Sequence, residues 1–214
     1  MSYVLAFSGS PIHDGTIEKG LKLVMDTIEA DNKEFIRLYN LKLNVCVGCK
    51  KCAINNRCVL NDDLNPILEK ICASDAFILS GYPSFGSLNA ITKIFIERLW
   101  PLRHNFHLTR GKIGSAVVAG RVNLNELDIY FMNYFSGYLG MDFKGTLILK
   151  GNLPCMTCGF GEDCEVSGFL QEYGEGAKVT PDKFYNPWQD TDAQKRAESL
   201  GNAISLALTN KKGS

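Results

Sequence analysis

The 214-residue chain has no surplus of either charge, since 23 basic side chains face 23 acidic ones. With no basic excess and no run of like charge, neither a nucleic-acid ligand nor a charged interaction tail is expected. The apolar stretches are too short to span a membrane. The opening residues M-S-Y-V-L-A-F-S-G-S lack the basic start and long apolar core of a secretory signal, so the expected location is cytoplasmic. No internal repeat of fold-defining length occurs. There is no Gly-Lys-Ser/Thr element of a P-loop and no G-x-G-x-x-G dinucleotide motif.

What is present is cysteine, unevenly spread. Four of the eight cysteines fall in C-V-G-C-K-K-C-A-I-N-N-R-C, residues 46–58. Thiols in the cytoplasm are normally reduced, so such clustering points to metal or redox chemistry before structural disulfides. Cys46, Cys49, Cys52 and Cys58 form C-x2-C-x2-C-x5-C. Iron–sulfur clusters take four thiolates, and bacterial ferredoxins supply them from a run of similar density. Gly48 gives the loop freedom to turn. Structural zinc ordinarily uses two separated pairs with a long spacer, and a redox C-x-x-C needs only two thiols. The pattern favours a [4Fe–4S] cluster and leaves zinc and a disulfide as alternatives.

A second set, Cys155, Cys158 and Cys164, repeats the two- and five-residue gaps but omits one cysteine. Three thiolates cannot complete a four-ligand site alone. The segment therefore reads as a second metal or cluster site with an outside ligand, a Cys155–Cys158 redox pair, or a surface flap with spare thiols.

Periodicity places strands over residues 3–8, 34–39, 76–80, 113–119 and 143–149. Helices are expected between and after them. The first, from Thr16, carries Ile17, Leu21, Val24, Met25 and Ile28 at helical spacing. The second is capped by Asp62 or Asp63, with Leu64, Leu68, Ile71 and Cys72 on its apolar face. The third covers 90–100, and the fourth covers 124–138 with Leu127, Tyr130, Phe131, Tyr134 and Tyr138 as a core-packing side. The last opens at Thr191 or Asp192 and aligns Ala193, Ala197, Leu200, Ile204 and Leu208. Five strands alternating with five helices imply a parallel sheet covered on both faces. Residues 150–190, rich in Gly, Pro and Cys, break this rhythm and are too long for a plain connection.

Ligands of such sheets lie beyond the carboxyl ends of the strands. The first strand runs into S-G-S-P-I-H-D-G-T, residues 8–16, where small residues, hydroxyls and a helix start suit a phosphate. An ordinary strand-to-helix turn looks the same. The third strand runs into S-G-Y-P-S-F-G-S-L-N-A-I-T-K-I-F-I-E-R-L, residues 80–99. This stretch resembles the NADPH-dependent FMN reductase group of flavodoxin-like proteins, in which a loop with proline, an aromatic ring and serine lies along the isoalloxazine. Pro83, Phe85, Gly86 and Ser87 carry the likeness, with Lys93, Phe95, Ile96 and Arg98 in the following helix. Ser8-Gly9-Ser10-Pro11 and Gly15-Thr16 look like that group's phosphate loop. The four-cysteine motif narrows the resemblance to the iron–sulfur flavoproteins of the group, over about residues 3–149 and the last helix. Ile12 stands where the family commonly has arginine, and Ala119-Gly120-Arg121 replaces its usual Thr-Gly-Gly.

The resemblance implies an α/β, flavodoxin-like, doubly wound five-stranded parallel sheet in the order 2-1-3-4-5. It implies one domain over 1–214, with a cluster loop at 44–60 after the second strand and an irregular extension at 150–190 after the fifth. The implied cofactors are FMN and a [4Fe–4S] cluster. The implied FMN contacts are Ser8, Ser10, His13, Gly15, Thr16, Tyr82, Pro83, Ser84, Phe85, Gly86, Ser87, Gly120 and Arg121. The implied function is an FMN-dependent iron–sulfur oxidoreductase that takes electrons from a ferredoxin-like carrier or NAD(P)H and passes them to a small acceptor. A homodimer or homotetramer would set one subunit's cluster against another's flavin. Competing readings are an NAD(P)H-dependent FMN or quinone reductase with a structural metal, and a redox- or metal-sensing module.

The remaining candidates have plainer readings. His104 and His107, beside Arg103 and Arg110, suit a solvated loop better than a metal pair. Cys72 suits a buried small hydrophobe. Lys50, Lys51 and Arg57 would offset cluster charge, dock an acidic carrier or simply keep the surface wet.

Overall fold

The computed structural model describes residues 1–105 and 107–212. The apolar runs become strands β1 (Tyr3–Ser8), β2 (Asn32–Arg37) and β3 (Ala76–Gly81), a two-residue pair β4 (Pro83–Ser84) and β5 (Ser87–Leu88), and then β6 (Ile113–Gly120) and β7 (Asp142–Lys150). The main sheet has the order β2-β1-β3-β6-β7 and every pairing in it is parallel. This is the expected 2-1-3-4-5 topology, because β4 and β5 form a separate antiparallel hairpin.

The helices are α1 (Thr16–Thr27), α2 (Leu64–Ala73), α3 (Ala90–Arg98), α4 (Leu124–Met132), α5 (Gly168–Tyr173) and α6 (Thr191–Lys212). Side chains alternate across a strand, so β1 feeds two cores. Leu5 and Phe7 join α2, α3 and α4 on one face. Val4 and Ala6 join α1 and α6 on the other. Central strands covered on both faces must be apolar throughout, which is why β1 and β3 were readable as unbroken runs. Among the described residues no helix is long and apolar enough to cross a membrane.

Several local expectations are corrected. Cys72 is exposed, because the buried face of α2 is Leu64, Ile67, Leu68 and Ile71 and the next residue turns outward. Asp63 stands at the start of α2 without capping it by its side chain; Asp62 accepts the Leu64 N–H at 3.2 Å. The fourth helix is not uniform: residues Asn133–Tyr138 widen into π-helical turns. The widening seats the Phe135 ring on Gly114, where a Cβ would lie 2.4 Å from the ring. Tyr138 leaves the core and is half exposed, beneath the Arg103 guanidinium. The second strand starts at Asn32 and stops at Arg37, where Leu38–Asn40 tighten into one 3₁₀ turn.

Candidate functional site

Ser8 and Arg37 pair across β1 and β2, so the loops after these strands leave the sheet at the same edge. The cysteine loop follows β2. Left-handed conformations at Gly48 (φ +64°), Lys50 (+57°) and Asn56 (+58°) turn its backbone three times. Side-chain amides fasten it: Asn56 donates to the carbonyls of Pro101 and His104 at 2.6 and 2.8 Å, and Asn65 exchanges hydrogen bonds with the backbone of Cys58 at 2.8 and 3.0 Å.

Cys46, Cys49, Cys52 and Cys58 all line one cavity of about 170 Å³, with Trp100, Pro101 and His104 also in its wall. Burial raises the Cys52 thiol pKa, against a backbone hydrogen bond that lowers it, and the neighbouring Cys58, Cys49 and Cys46 add smaller upward pushes. Lys50 also lines the cavity. Lys51 is exposed on the same loop, whereas Arg57 is paired with Glu69 at 2.8 Å. Among the described residues, no three His, Cys, Asp or Glu side chains gather round one ion-sized point.

Arg98, at the end of α3, reaches into this loop. Its guanidinium donates to the Asn44 carbonyl at 2.5 Å, to both Asp62 oxygens at 2.6 and 3.0 Å, and to the Cys58 sulfur at 3.3 Å. The family-like helix pattern singled out Arg98 but not this use of it.

The loop after β1 packs against the loop after β3. At Gly9 a Cβ would stand 1.9 Å from Thr92 Oγ1 and 2.5 Å from the Ser80 carbonyl, so only glycine permits the approach. Asn89 fastens the two loops, donating to the Gly9 carbonyl at 2.9 Å and accepting from the Tyr82 N–H at 3.0 Å. Ser8 and Ser10 are buried, His13 is exposed, and Gly15 and Thr16 are half-buried at the start of α1, which no side chain caps. Behind the loop lies Glu18, only 3% exposed. Its carboxylate accepts from the Ser8 hydroxyl at 3.2 Å and the Asp14 N–H at 2.8 Å, and it is ion-paired with Arg37. Arg37 also donates to the Pro11 carbonyl at 3.4 Å. Neither residue was singled out in the sequence, where Arg37 fell inside the expected second strand and Glu18 inside the expected first helix.

Pro83, Ser84, Phe85, Gly86 and Ser87 form the hairpin, whose tip residues Phe85 (φ +48°) and Gly86 (+76°) are both left-handed. That is the geometry a two-residue hairpin turn requires. Phe85 is fully exposed at the tip. Tyr82 is half-buried, and burial together with a Tyr39 hydrogen bond pushes its pKa up to about 12. Gly120 lies against Pro83, where a Cβ would come within 2.5 Å of the ring. Arg121 is turned to the extension, donating to the Gly151 carbonyl and pairing with Glu172 at 2.5 Å.

The extension sits beside these loops. The Gly151 N–H donates to the Gly120 carbonyl at 2.8 Å, and Asn152 reaches Thr16 Oγ1 at 3.4 Å while clasping the Tyr185 backbone. Cys155 and Cys164 are partly exposed and Cys158 is exposed. Hydrogen bonds from the Phe169 and Gly168 N–H groups and the Ser167 hydroxyl lower the Cys155 pKa, against a smaller effect of burial. His104 and His107 are half-buried, contrary to the solvated loop expected: His104 packs on Trp100 at 4.5 Å, and Gly140 leaves room for His107, whose Nδ1 would lie 3.0 Å from a Cβ there.

The family model for NADPH-dependent FMN reductase matches residues 2–149. The chain belongs to this family. The match ends where the extension begins. An iron-sulfur flavoprotein of Methanocaldococcus jannaschii is 36% identical over 119 residues, covering 55% of this chain and 61% of that protein. One of Archaeoglobus fulgidus is 31% identical over 112 residues, covering 51% of this chain and 50% of that protein. The matches thus span between half and about three-fifths of these relatives' lengths. A solved archaeal flavodoxin shares the fold, with a TM-score of 0.52 at 13% identity over 98% of this family member and 99% of that chain.

Proposed function

We propose that this family member is an FMN-dependent iron–sulfur oxidoreductase that carries electrons from a ferredoxin-like donor or NAD(P)H to a small acceptor. The observation that carries the reading is the convergence of Cys46, Cys49, Cys52 and Cys58 on one cavity, at the sheet edge where the flavin-type loops emerge. The four thiols line this cavity together, and four thiolates from one short run are the donor set of a [4Fe–4S] cluster, whereas structural zinc ordinarily takes two separated pairs.

In this reading Ser8, Ser10, Gly15 and Thr16 hold the FMN phosphate at the uncapped start of α1, with His13 at the outer rim. The Glu18–Arg37 pair stiffens the loop from behind. The Pro83–Ser87 hairpin, supported by Tyr82 and Gly120, lies along the ring, and Arg121 ties that edge to the extension. When bound, the cluster exchanges single electrons and FMN one or two, which suits a one-electron donor feeding a two-electron acceptor.

The nine residues of α3 separate the flavin-side Asn89 from the cluster-side Arg98 by about 13 Å at 1.5 Å per residue. A homodimer or homotetramer would shorten the electron path by setting one subunit's cysteine loop against another's hairpin. The test is anaerobic reduction followed through the flavin absorption, with reduced ferredoxin and with NADPH in turn. Bleaching by at least one donor and recovery with a quinone are expected; bound flavin that accepts electrons from neither would overturn the reading.

A further inference from the structure

Arg98 has the largest side chain of those buried outright, with 2% of the residue exposed. A buried guanidinium needs acceptors for its N–H groups, and those Arg98 has found all belong to one loop. Asn44 stands two residues before Cys46, and Cys58 is the last of the four thiols. By bonding the Asn44 carbonyl, the Asp62 carboxylate and the Cys58 sulfur, a single side chain ties both ends of the cysteine loop to the end of α3.

We propose that Arg98 is a positioning residue that holds the loop in its cluster-binding shape and sets the reduction potential of a cluster bound there through its bond to Cys58. This inference rests on the reading of the four cysteines as ligands. Reduction adds one negative charge to a cluster. A hydrogen bond donated to a ligating sulfur stabilises the more negative state and so raises the potential. Asp62 works in the opposite sense, because its carboxylate neutralises the guanidinium beside the same sulfur. Arg98 and Asp62 therefore push the potential in opposite directions, which a plain structural staple would not do.

The experiment uses the anaerobically reconstituted holoprotein, as the parent and as the Arg98→Lys and Asp62→Asn variants. Iron and sulfide content, circular dichroism of the metal-free chains and the midpoint potential in a mediated titration are measured. Lysine keeps the charge but cannot span Cys58 and the Asp62 fork together. The expected result for Arg98→Lys is a lower potential, read as a roughly tenfold drop in the reduced-to-oxidised ratio at fixed potential, about 59 mV for one electron. Asp62→Asn is expected to shift it upward.

Unchanged potentials, or shifts of the same sign in cluster-loaded variants, would overturn the proposal. If Arg98→Lys binds no cluster, Asp62→Asn decides alone, a rise supporting the proposal and no rise overturning it. Loss of the folded sheet in both variants would mark a purely structural pair and also overturn it. A parent that takes up no iron and sulfide would instead sink the cluster reading itself, and this inference with it.

Discussion

Two ion pairs are buried behind the loop after β1 and the cysteine loop, Glu18 with Arg37 and Asp62 with Arg98, and none of the four side chains is more than 8% exposed. Removing one partner from such a pair strands the other charge, at a cost of about 3–5 kcal/mol. Each pair therefore fixes its loop more firmly than loop backbone alone would. Burial by itself would raise the Asp62 pKa, but the hydrogen bonds from Arg98, Asn44 and Leu64 hold it below the ordinary carboxylate value. Its contribution to stability is present above the unfolded value of about 3.9 and is lost as pH falls through the lower folded one. In the loop after β1, Ser10 is 5% exposed and accepts the Ile12 N–H at 3.1 Å. Ser10→Asp places a carboxylate where the phosphate reading requires an anion. FMN binding, followed by flavin fluorescence, should weaken at least tenfold, about 1.4 kcal/mol, and undiminished affinity would contradict the assignment. The four thiols stood out in the sequence through residue type and spacing, and the Pro83–Ser87 loop through its resemblance to the family. Glu18, Arg37 and Asp62 were not, because a carboxylate acquires its partner only through long-range register, such as Ser8 against Arg37.

At the scale of elements, α3 is the member that joins the two loops, fastened at one end by Asn89 and at the other by Arg98. Left-handed backbone collects in the loops beyond the strands. The described non-glycine residues with left-handed φ are Asp14, Lys50, Asn56, Phe85, Asn105 and Asn123. Five lie in loops at the carboxyl edge of the sheet, and the sixth, Asn105, donates to Ala53 of the cysteine loop at 2.5 Å. Such conformations persist where surrounding contacts over-determine them, and functional loops are the usual place. The alternation of strands and helices was readable from periodicity. The β4–β5 hairpin and the π-helical turns were not, since both depend on what Pro83 and Phe135 pack against. The extension is the element whose role rests on chemistry alone. Replacing Cys155, Cys158 and Cys164 together by serine should leave FMN bound and the sheet folded, because these thiols stand outside both cores. The same variant should alter metal content or the electron-transfer rate. Unchanged metal stoichiometry, oligomeric state and turnover would remove the second site from the account.

The described residues form a parallel five-stranded sheet of the flavodoxin order, with the cysteine loop, the loop after β1 and the hairpin all carried at one edge. The family match stops at residue 149, so the extension anchored on Gly120, Thr16 and Arg121 lies outside the matched residues. The central claim is that this edge holds FMN and one four-thiolate cluster in the same chain. Iron, sulfide and flavin are to be assayed per chain after anaerobic reconstitution, in the parent and in Cys49→Ala, with circular dichroism to verify the fold. The parent should hold at least about four iron and four sulfide with one FMN, and Cys49→Ala should lose iron while keeping FMN and the sheet. A Cys49→Ala protein with the full complement of iron and sulfide, or a parent that binds FMN with neither, would contradict the account.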